Sequence, residues 1–344
     1  MTELLVAQNL WRFFGRVPAV KGLDLVVERG SAYGFIGPNG AGKSTTLRML
    51  ATVDRPDAGR VVIQGLDSQR HSDRVRRLLG FMPDPFELND ELSVEDYLDF
   101  FGMAYRIPRQ ERRQRIDQVI DLTRIGPRRH QRCGALSKGW RQRVLLAKTL
   151  VHDPAVLLLD EPAAGLDPAA RIEFREIVRV LRDLGKTIVV SSHILTELAG
   201  FCDSVGIIEK GRMLVSGKIG DILSRLNPTD QLEIELACPP GEDSAAARAS
   251  ALLTARPEIE QVLETGAEPP TTLLIAKLHG RSQALDRAAT LATLVGAGLP
   301  VSRLDVRREG LEDLFLRVAG KLDDSNPAMS PETLRALLGE GDPA

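Results

Sequence analysis

Cysteine is scarce in this chain of 344 residues, with three in all, Cys133, Cys202 and Cys238, far apart and without a CxxC pair. So few thiols exclude a disulfide framework and point to free cysteines in a reducing compartment. The five histidines do not cluster with them, which argues against a structural metal site. Aromatic residues make up only 4%, too few for a base-stacking surface, and 45 basic against 47 acidic residues leave a net charge of -2. A chain without a basic field is not expected to bind nucleic acid. No stretch approaches the ~18–20 apolar residues of a membrane span. The opening MTELLVAQNL carries an acidic residue and lacks the apolar core of a signal peptide. The expectation is a soluble, cytoplasmic protein that acts at a membrane only through a partner.

What is present is ordinary globular material, 43% hydrophobic and 27% charged, at a length that allows about two domains. The first part mixes short apolar runs with helical patterns. Strands are predicted at 4–9, 23–27, 32–36, 61–63, 156–160 and 187–193, with helices after residue 43 and between 94 and 132. Strands alternating with helices indicate an α/β domain over 1–220. The turn-rich NPTD at 227–230 lies in a linker expected at 221–229. Beyond it, alternating strands (231–237, 271–278, 300–308) and helices (244–255, 281–295) suggest a small α+β domain of ferredoxin-like type at 230–320, closed by an amphipathic helix GLEDLFLRVAG. A polar tail follows at 321–344.

One run carries chemistry by itself. Gly37, Pro38, Asn39, Gly40, Ala41, Gly42, Lys43 and Ser44 fit GxxxxGK[ST], and Thr45 continues the run into the helix. Small residues let backbone N–H groups face phosphates, and the following helix adds its positive end. Lys43 supplies a point charge, and Ser44 offers a hydroxyl to Mg²⁺. The motif indicates an ATP- or GTP-binding P-loop protein. A second run, Val156 to Leu159, ends in Asp160 and Glu161 at the carboxyl end of an apolar strand, where α/β sites assemble. Alternation along a strand turns the two carboxylates in different directions. Asp160 is expected on the metal side, and Glu161 as the base that orients the attacking water.

Three further segments narrow the reading. Leu136-Ser137-Lys138-Gly139-Trp140, followed by Gln142 and Arg143, resembles the signature motif of ABC ATPases, usually written LSGGQ. Ala164-Gly165-Leu166-Asp167-Pro168 is similar to their D-loop, and Ser191-Ser192-His193 to their switch-histidine loop. Phe14 stands where that family stacks an aromatic on adenine. With the P-loop and the carboxylate strand, the motifs follow the family's order over residues 1 to about 220.

The resemblance implies a P-loop NTPase domain with a helical subdomain, an ATPase activity with ATP and Mg²⁺, and a dimer, homo- or heterodimeric, that sandwiches two ATP molecules. Each ATP would lie between the P-loop of one copy and Ser137, Lys138 and Gly139 of the other. His193 would hold the γ-phosphate, and Asp167 would connect the two sites. The implied partner is a separate polytopic permease, with this chain peripheral on the inner face of the membrane, and export is favoured over import. The alternative is a non-transport ABC ATPase acting on ribosomes or DNA.

Departures stand out. Asp84 occupies the place of the family's glutamine, where its carboxylate could reach Mg²⁺ through water. Lys138 and Trp140 replace glycine and glutamine, and Trp140 is expected to pack within the helical subdomain. Nine arginines between Arg106 and Arg132 form either a basic face or a solvated helical surface. His71, His130, His152 and His279 have no motif around them and read as surface residues.

Overall fold

The computed structural model describes residues 3–85, 87–194, 198, 201–225, 231–237, 243–266, 271–278 and 287–307. By packing, the chain divides into two units, Met1–Ile219 and Gly220–Ala344.

The first unit is built on a six-stranded sheet. Its strand order is Arg212–Lys218, Ser204–Glu209, Ala32–Ile36, Thr187–Ser192, Val156–Leu159 and Leu79–Met82. All neighbours are parallel except the first pair. Strands Ala32–Ile36, Val156–Leu159 and Thr187–Ser192 are buried at every residue, because helices cover both faces of a parallel sheet and no face is left for polar side chains. A four-stranded antiparallel sheet, ordered Val17–Glu28, Glu3–Phe14, Ala58–Ile63, Leu66–Asp67, shares the main core through Leu5, Leu10, Leu25 and Ile63. Helices Val94–Ala104, Arg109–Leu122 and Lys138–Leu150 form the helical region.

The strand predictions for this unit lacked Leu66–Asp67, Leu79–Met82 and a hairpin after residue 203. The hairpin Ser204–Glu209 and Arg212–Lys218 turns on Lys210 and Gly211, both at positive φ (46° and 83°), the backbone twist a tight two-residue hairpin requires. Helix Ile219–Arg225 runs through the first half of the stretch expected as linker. Its Ile222 is 4% exposed, so burial of an apolar side chain holds as a helix what polar neighbours marked as a connection.

Four of the nine arginines in the arginine-rich segment, Arg112, Arg115, Arg129 and Arg132, are tied into ion pairs. Arg112 meets Asp99 at 2.5 Å, Arg115 meets Asp153 at 3.1 Å, and Arg129 meets both Glu95 and Asp117. His71 and His130 are exposed. His152, expected at the surface, is instead packed flat on Tyr105, ring centroids 3.8 Å apart. Its place at the end of Lys138–Leu150 brings it under strand Leu79–Met82, where Nε2 donates to the Leu79 carbonyl at 2.8 Å. Cys133 and Cys202 are buried free thiols.

The second unit has strands Gln231–Leu236, Ile259–Gly266, Thr272–Leu278 and Val301–Arg307, with helices Asp243–Thr254 and Arg287–Gly296 between them. The sheet is antiparallel, with Gln231–Leu236 and Thr272–Leu278 at its centre and Ile259–Gly266 and Val301–Arg307 at its edges. This is the β-α-β-β-α-β arrangement of a ferredoxin-like sheet. Leu232, Ile234 and Leu236 point to one face and pack on Ala245, Ala249 and Leu253, the period-2 pattern visible in the sequence. GLEDLFLRVAG, the polar tail, Cys238 and His279 lie outside the described residues.

Candidate nucleotide site

Strand order assembles the site. Ala32–Ile36, Thr187–Ser192, Val156–Leu159 and Leu79–Met82 are successive neighbours. Their carboxyl ends therefore deliver, side by side, the phosphate loop, Ser191 to His193, Asp160 with Glu161, and Asp84. This is the rim at which open parallel sheets bind ligands.

The phosphate loop is held in a conformation that only glycine allows at two points. Gly40 and Gly42 have φ of 81° and 105°, and Gly42 caps the helix Lys43–Leu50 without a side chain. A Cβ at Gly37 would overlap the Ile208 carbonyl, and one at Gly42 would approach the Ala19 carbonyl to 2.7 Å. The Lys210-Gly211 turn braces the loop from outside: Gly211 N donates to Ala41 O at 2.9 Å, and Lys21 N donates to Gly211 O at 2.8 Å. Pro38, Asn39, Gly40 and Ser44 remain exposed, while Thr45 is half-buried.

Lys43, Glu161 and His193 converge. Lys43 is 5% exposed. Its Nζ donates to the Gly37 and Pro38 carbonyls at 2.6 and 3.2 Å and lies 3.2 Å from Glu161 Oε1. His193 Nδ1 is 2.8 Å from the other oxygen, Oε2. The carboxylate is thus bracketed by one cation and one imidazole. Glu161 itself sits at φ 44°, a left-handed conformation costly for a residue with a Cβ.

A residue without an assigned role fixes this geometry. Ser191, fully buried, donates its hydroxyl to Asp160 Oδ1 at 2.6 Å and accepts from Glu161 N at 2.9 Å. It orients both carboxylates at once. A serine ending a buried strand was the only sequence sign of it. Asp160 is 2% exposed, and its pKa is raised, first by burial and then by the charges of Glu161 and Asp84, against hydrogen bonds from Ser191 and Ser44. Ser44, Asp160 and Asp84 are therefore neighbours, with Asp84 exposed at the rim. Two carboxylates and a hydroxyl form a hard-oxygen donor set suited to a hydrated divalent cation such as Mg²⁺.

The other motif residues lie away from this centre within the same unit. Ser137 caps helix Lys138–Leu150 without a side-chain cap bond. Asp167 caps helix Pro168–Asp183, accepting from Ala170 N at 2.8 Å. Gly139 faces Ala170. Trp140 lies under two guanidinium groups, Arg128 at 5.4 Å and Arg143 at 5.1 Å. Phe14 is 54% exposed, with the Arg12 guanidinium 5.3 Å from its ring centre.

The sequence profile of the ABC transporter family matches residues 20–164. The Nod factor export ATP-binding protein I of Ralstonia nicotianae is 34% identical over 322 residues, 93% of this chain and 95% of that protein. The chain belongs to the family of ABC transporter ATP-binding proteins. The daunorubicin/doxorubicin resistance ATP-binding protein DrrA of Streptomyces peucetius is 32% identical over 319 residues, covering 93% of each chain. Among solved structures, the ATP-binding subunit of an ABC transporter shares 30% identity at a TM-score of 0.59, covering 65% of this chain and 93% of that one. A bacterial ABC transporter cassette described as dimeric shares 25% identity at a TM-score of 0.57, covering 62% of this chain and 98% of that one. As an ABC ATPase subunit, the protein binds ATP and hydrolyses it. Among the described residues no helix is long and apolar enough to cross a membrane.

Proposed function

We propose that this ABC ATPase powers export through a separate permease, by closing in pairs over two ATP molecules at the cytoplasmic face of a membrane. The carrying observation is the bracketing of Glu161 between Lys43 and His193. It places a carboxylate beside the loop that cradles the phosphates, with an imidazole to hold its orientation. In this reading the P-loop N–H groups from Gly37 to Thr45 and the Lys43 ammonium hold the β- and γ-phosphates. Glu161 orients a water and takes its proton as the new oxygen–phosphorus bond forms. The bond to the β-phosphate oxygen breaks, leaving ADP and phosphate. His193 keeps the carboxylate and the γ-phosphate in line. Ser44 and Asp160, with Asp84 through water, would hold Mg²⁺, which when bound offsets the charge of the phosphate oxygens. Phe14 would stack on the adenine.

Pairing and export rest on likeness. Ser137, Lys138 and Gly139 would complete the site of a second copy, and Asp167 would connect the two sites. ATP would then favour the closed pair through contacts made only when it is present. Export is supported by relatives named for Nod factor export and for drug resistance that match nearly the whole chain, second unit included. Exposed apolar side chains one turn apart on helix Val94–Ala104, Phe100 and Met103 at 54% and 51% exposure, support a membrane partner.

The test is capture. Tagged Glu161→Gln protein, solubilised from its own cells in mild detergent with ATP and Mg²⁺, is expected to bring a polytopic membrane protein at equal stoichiometry. Recovery of ribosomal or DNA-repair proteins, with nothing from the membrane, would refute the transport reading.

A further inference from the structure

One carboxylate holds the end of strand Glu3–Phe14. Asp57 N donates to Trp11 O at 2.9 Å, which pins Asp57 beside that strand. Its Oδ2 accepts from Phe13 N at 2.7 Å, and its Oδ1 accepts from Arg12 Nη1 at 3.2 Å. The pairing of Glu3–Phe14 with Val17–Glu28 slips between Arg12 and Phe13. A bulge of this kind re-aims the side chains beyond it, here Phe13 and Phe14. Asp57 thus secures Trp11, Arg12 and Phe13 in succession and fixes the direction in which Phe14 leaves the strand.

Arg12 and Phe14 are stacked. The guanidinium carbon lies over the Phe14 ring, 5.3 Å from its centre. Arg12 Nε is buried and, among the described residues, has no hydrogen-bond partner, so Asp57 and the Phe14 ring are what hold the guanidinium. Phe14 carries no polar atom on its ring, and contact alone orients it. The ring is otherwise exposed, so the face away from Arg12 stays open. The neighbouring strand borders the phosphate loop. Val20, opposite Arg12, has Cγ2 3.5 Å from where a Cβ on Gly42 would stand, and the Ala19 carbonyl is 2.7 Å from the same point. The Arg12–Phe14 stack therefore stands on the strand pair that flanks the phosphate loop.

We infer that Arg12 is a positioning residue for the nucleotide base: backed by Asp57, it covers one face of Phe14 and leaves the other as a fixed platform for the purine. The inference rests on the reading of Phe14 as the adenine partner given above. Two effects act together. A ring already held in place loses less freedom when the base arrives. Two aromatic faces laid parallel also repel through their quadrupoles. A cation behind one ring draws its π density away from the base and weakens that repulsion. Neither effect reaches the phosphates, so the contribution belongs to the base alone.

The experiment uses the full chain and two probes with Mg²⁺, ATP and tripolyphosphate, the second offering phosphates without a base. Hydrolysis is measured against ATP, with tripolyphosphate as competitor, for wild type, Arg12→Met, Phe14→Ala and the double variant. Arg12→Met should raise KM for ATP about two- to fivefold, the size of an exposed cation–aromatic contact. Its kcat and its inhibition by tripolyphosphate should match wild type. Phe14→Ala should raise KM about tenfold through loss of the stack. The double variant should add little to Phe14→Ala, because Arg12 acts through the ring. If Phe14→Ala leaves KM unchanged, the stacking reading fails and this inference with it. If Phe14→Ala raises KM and Arg12→Met does not, the inference is overturned and the stacking reading stands. Weaker inhibition of Arg12→Met by tripolyphosphate would mean that the arginine serves the phosphates or the fold, and fully additive effects would mean that it acts apart from the ring. Either result would overturn the inference.

Discussion

Acidification should destabilise the nucleotide-binding unit through His152. Burial holds its pKa down at about 4, from an ordinary value of 6.5. The hydrogen bond to the Leu79 carbonyl opposes the shift, Asp153 also opposes it, and Lys148 and Lys186 add to it. Accepting from Nε2–H, the Leu79 carbonyl fixes the neutral tautomer, and Nδ1 is then a bare nitrogen, buried without a hydrogen-bond partner. Protonation would place a buried donor there with nothing to accept from it. The sign follows: the folded state binds fewer protons than the unfolded state, so this stability is present above the unfolded pKa and is lost as pH falls from ~6.5 toward ~4. At about pH 5 the loss is RT ln[(1+10^1.5)/(1+10^-1)], about 2 kcal/mol, rising to about 3 kcal/mol in stronger acid.

The assay is urea unfolding at about pH 7 and about pH 5 by tryptophan fluorescence. Both tryptophans, Trp11 and Trp140, belong to the first unit, so the signal reports that unit. His152→Phe keeps a ring on Tyr105 and removes the titration. Other groups add acid sensitivity to both proteins equally, so wild type should lose about 2 kcal/mol more than the variant. Equal losses would refute the reasoning, as would an imidazole resonance of His152 titrating near the ordinary value.

Three further outcomes are expected. Glu161→Gln should retain ATP binding and lose ~10²–10⁴-fold in turnover, read by equilibrium binding beside phosphate release; wild-type turnover would remove Glu161 from its role. Asp160→Asn should abolish turnover yet raise stability at neutral pH. The folded Asp160 has a raised pKa and binds more protons than the unfolded one, so its ionisation opposes folding as pH rises; the gain, read as a higher Tm, should vanish in acid. Gly37→Ala should lose nucleotide binding and ~1–3 kcal/mol, because its methyl group meets the Ile208 carbonyl; unchanged binding in a titration would refute that account of the loop.

How much of this was legible depended on whether the signal was contiguous. The phosphate loop occupies eight consecutive residues with small side chains at fixed spacing, so its conformation and its charge could be read directly. Leu232, Ile234 and Leu236 declared a half-buried strand by alternation alone. His152 could not be read: one histidine at a helix end without a motif looks like a surface residue, and only the fold brings Tyr105 and the strand beginning at Leu79 onto it. Helix Ile219–Arg225 was missed for the same reason, since the burial of Ile222 comes from other parts of the chain.

The sequence by itself determined the chemistry at hand: a lysine and a hydroxyl after a glycine loop, two carboxylates ending an apolar strand, and a histidine after another. Tertiary structure alone decided which of these meet. Lys43, Glu161 and His193 are separated by more than a hundred residues at their extremes, and they share one carboxylate because three buried strands lie side by side in an order that no local pattern encodes. Ser191 shows the same division. Its hydroxyl was visible from the start, but its hold on both Asp160 and Glu161 exists only because parallel pairing brings the ends of two strands to the same rim, where the hydroxyl has no water to turn to.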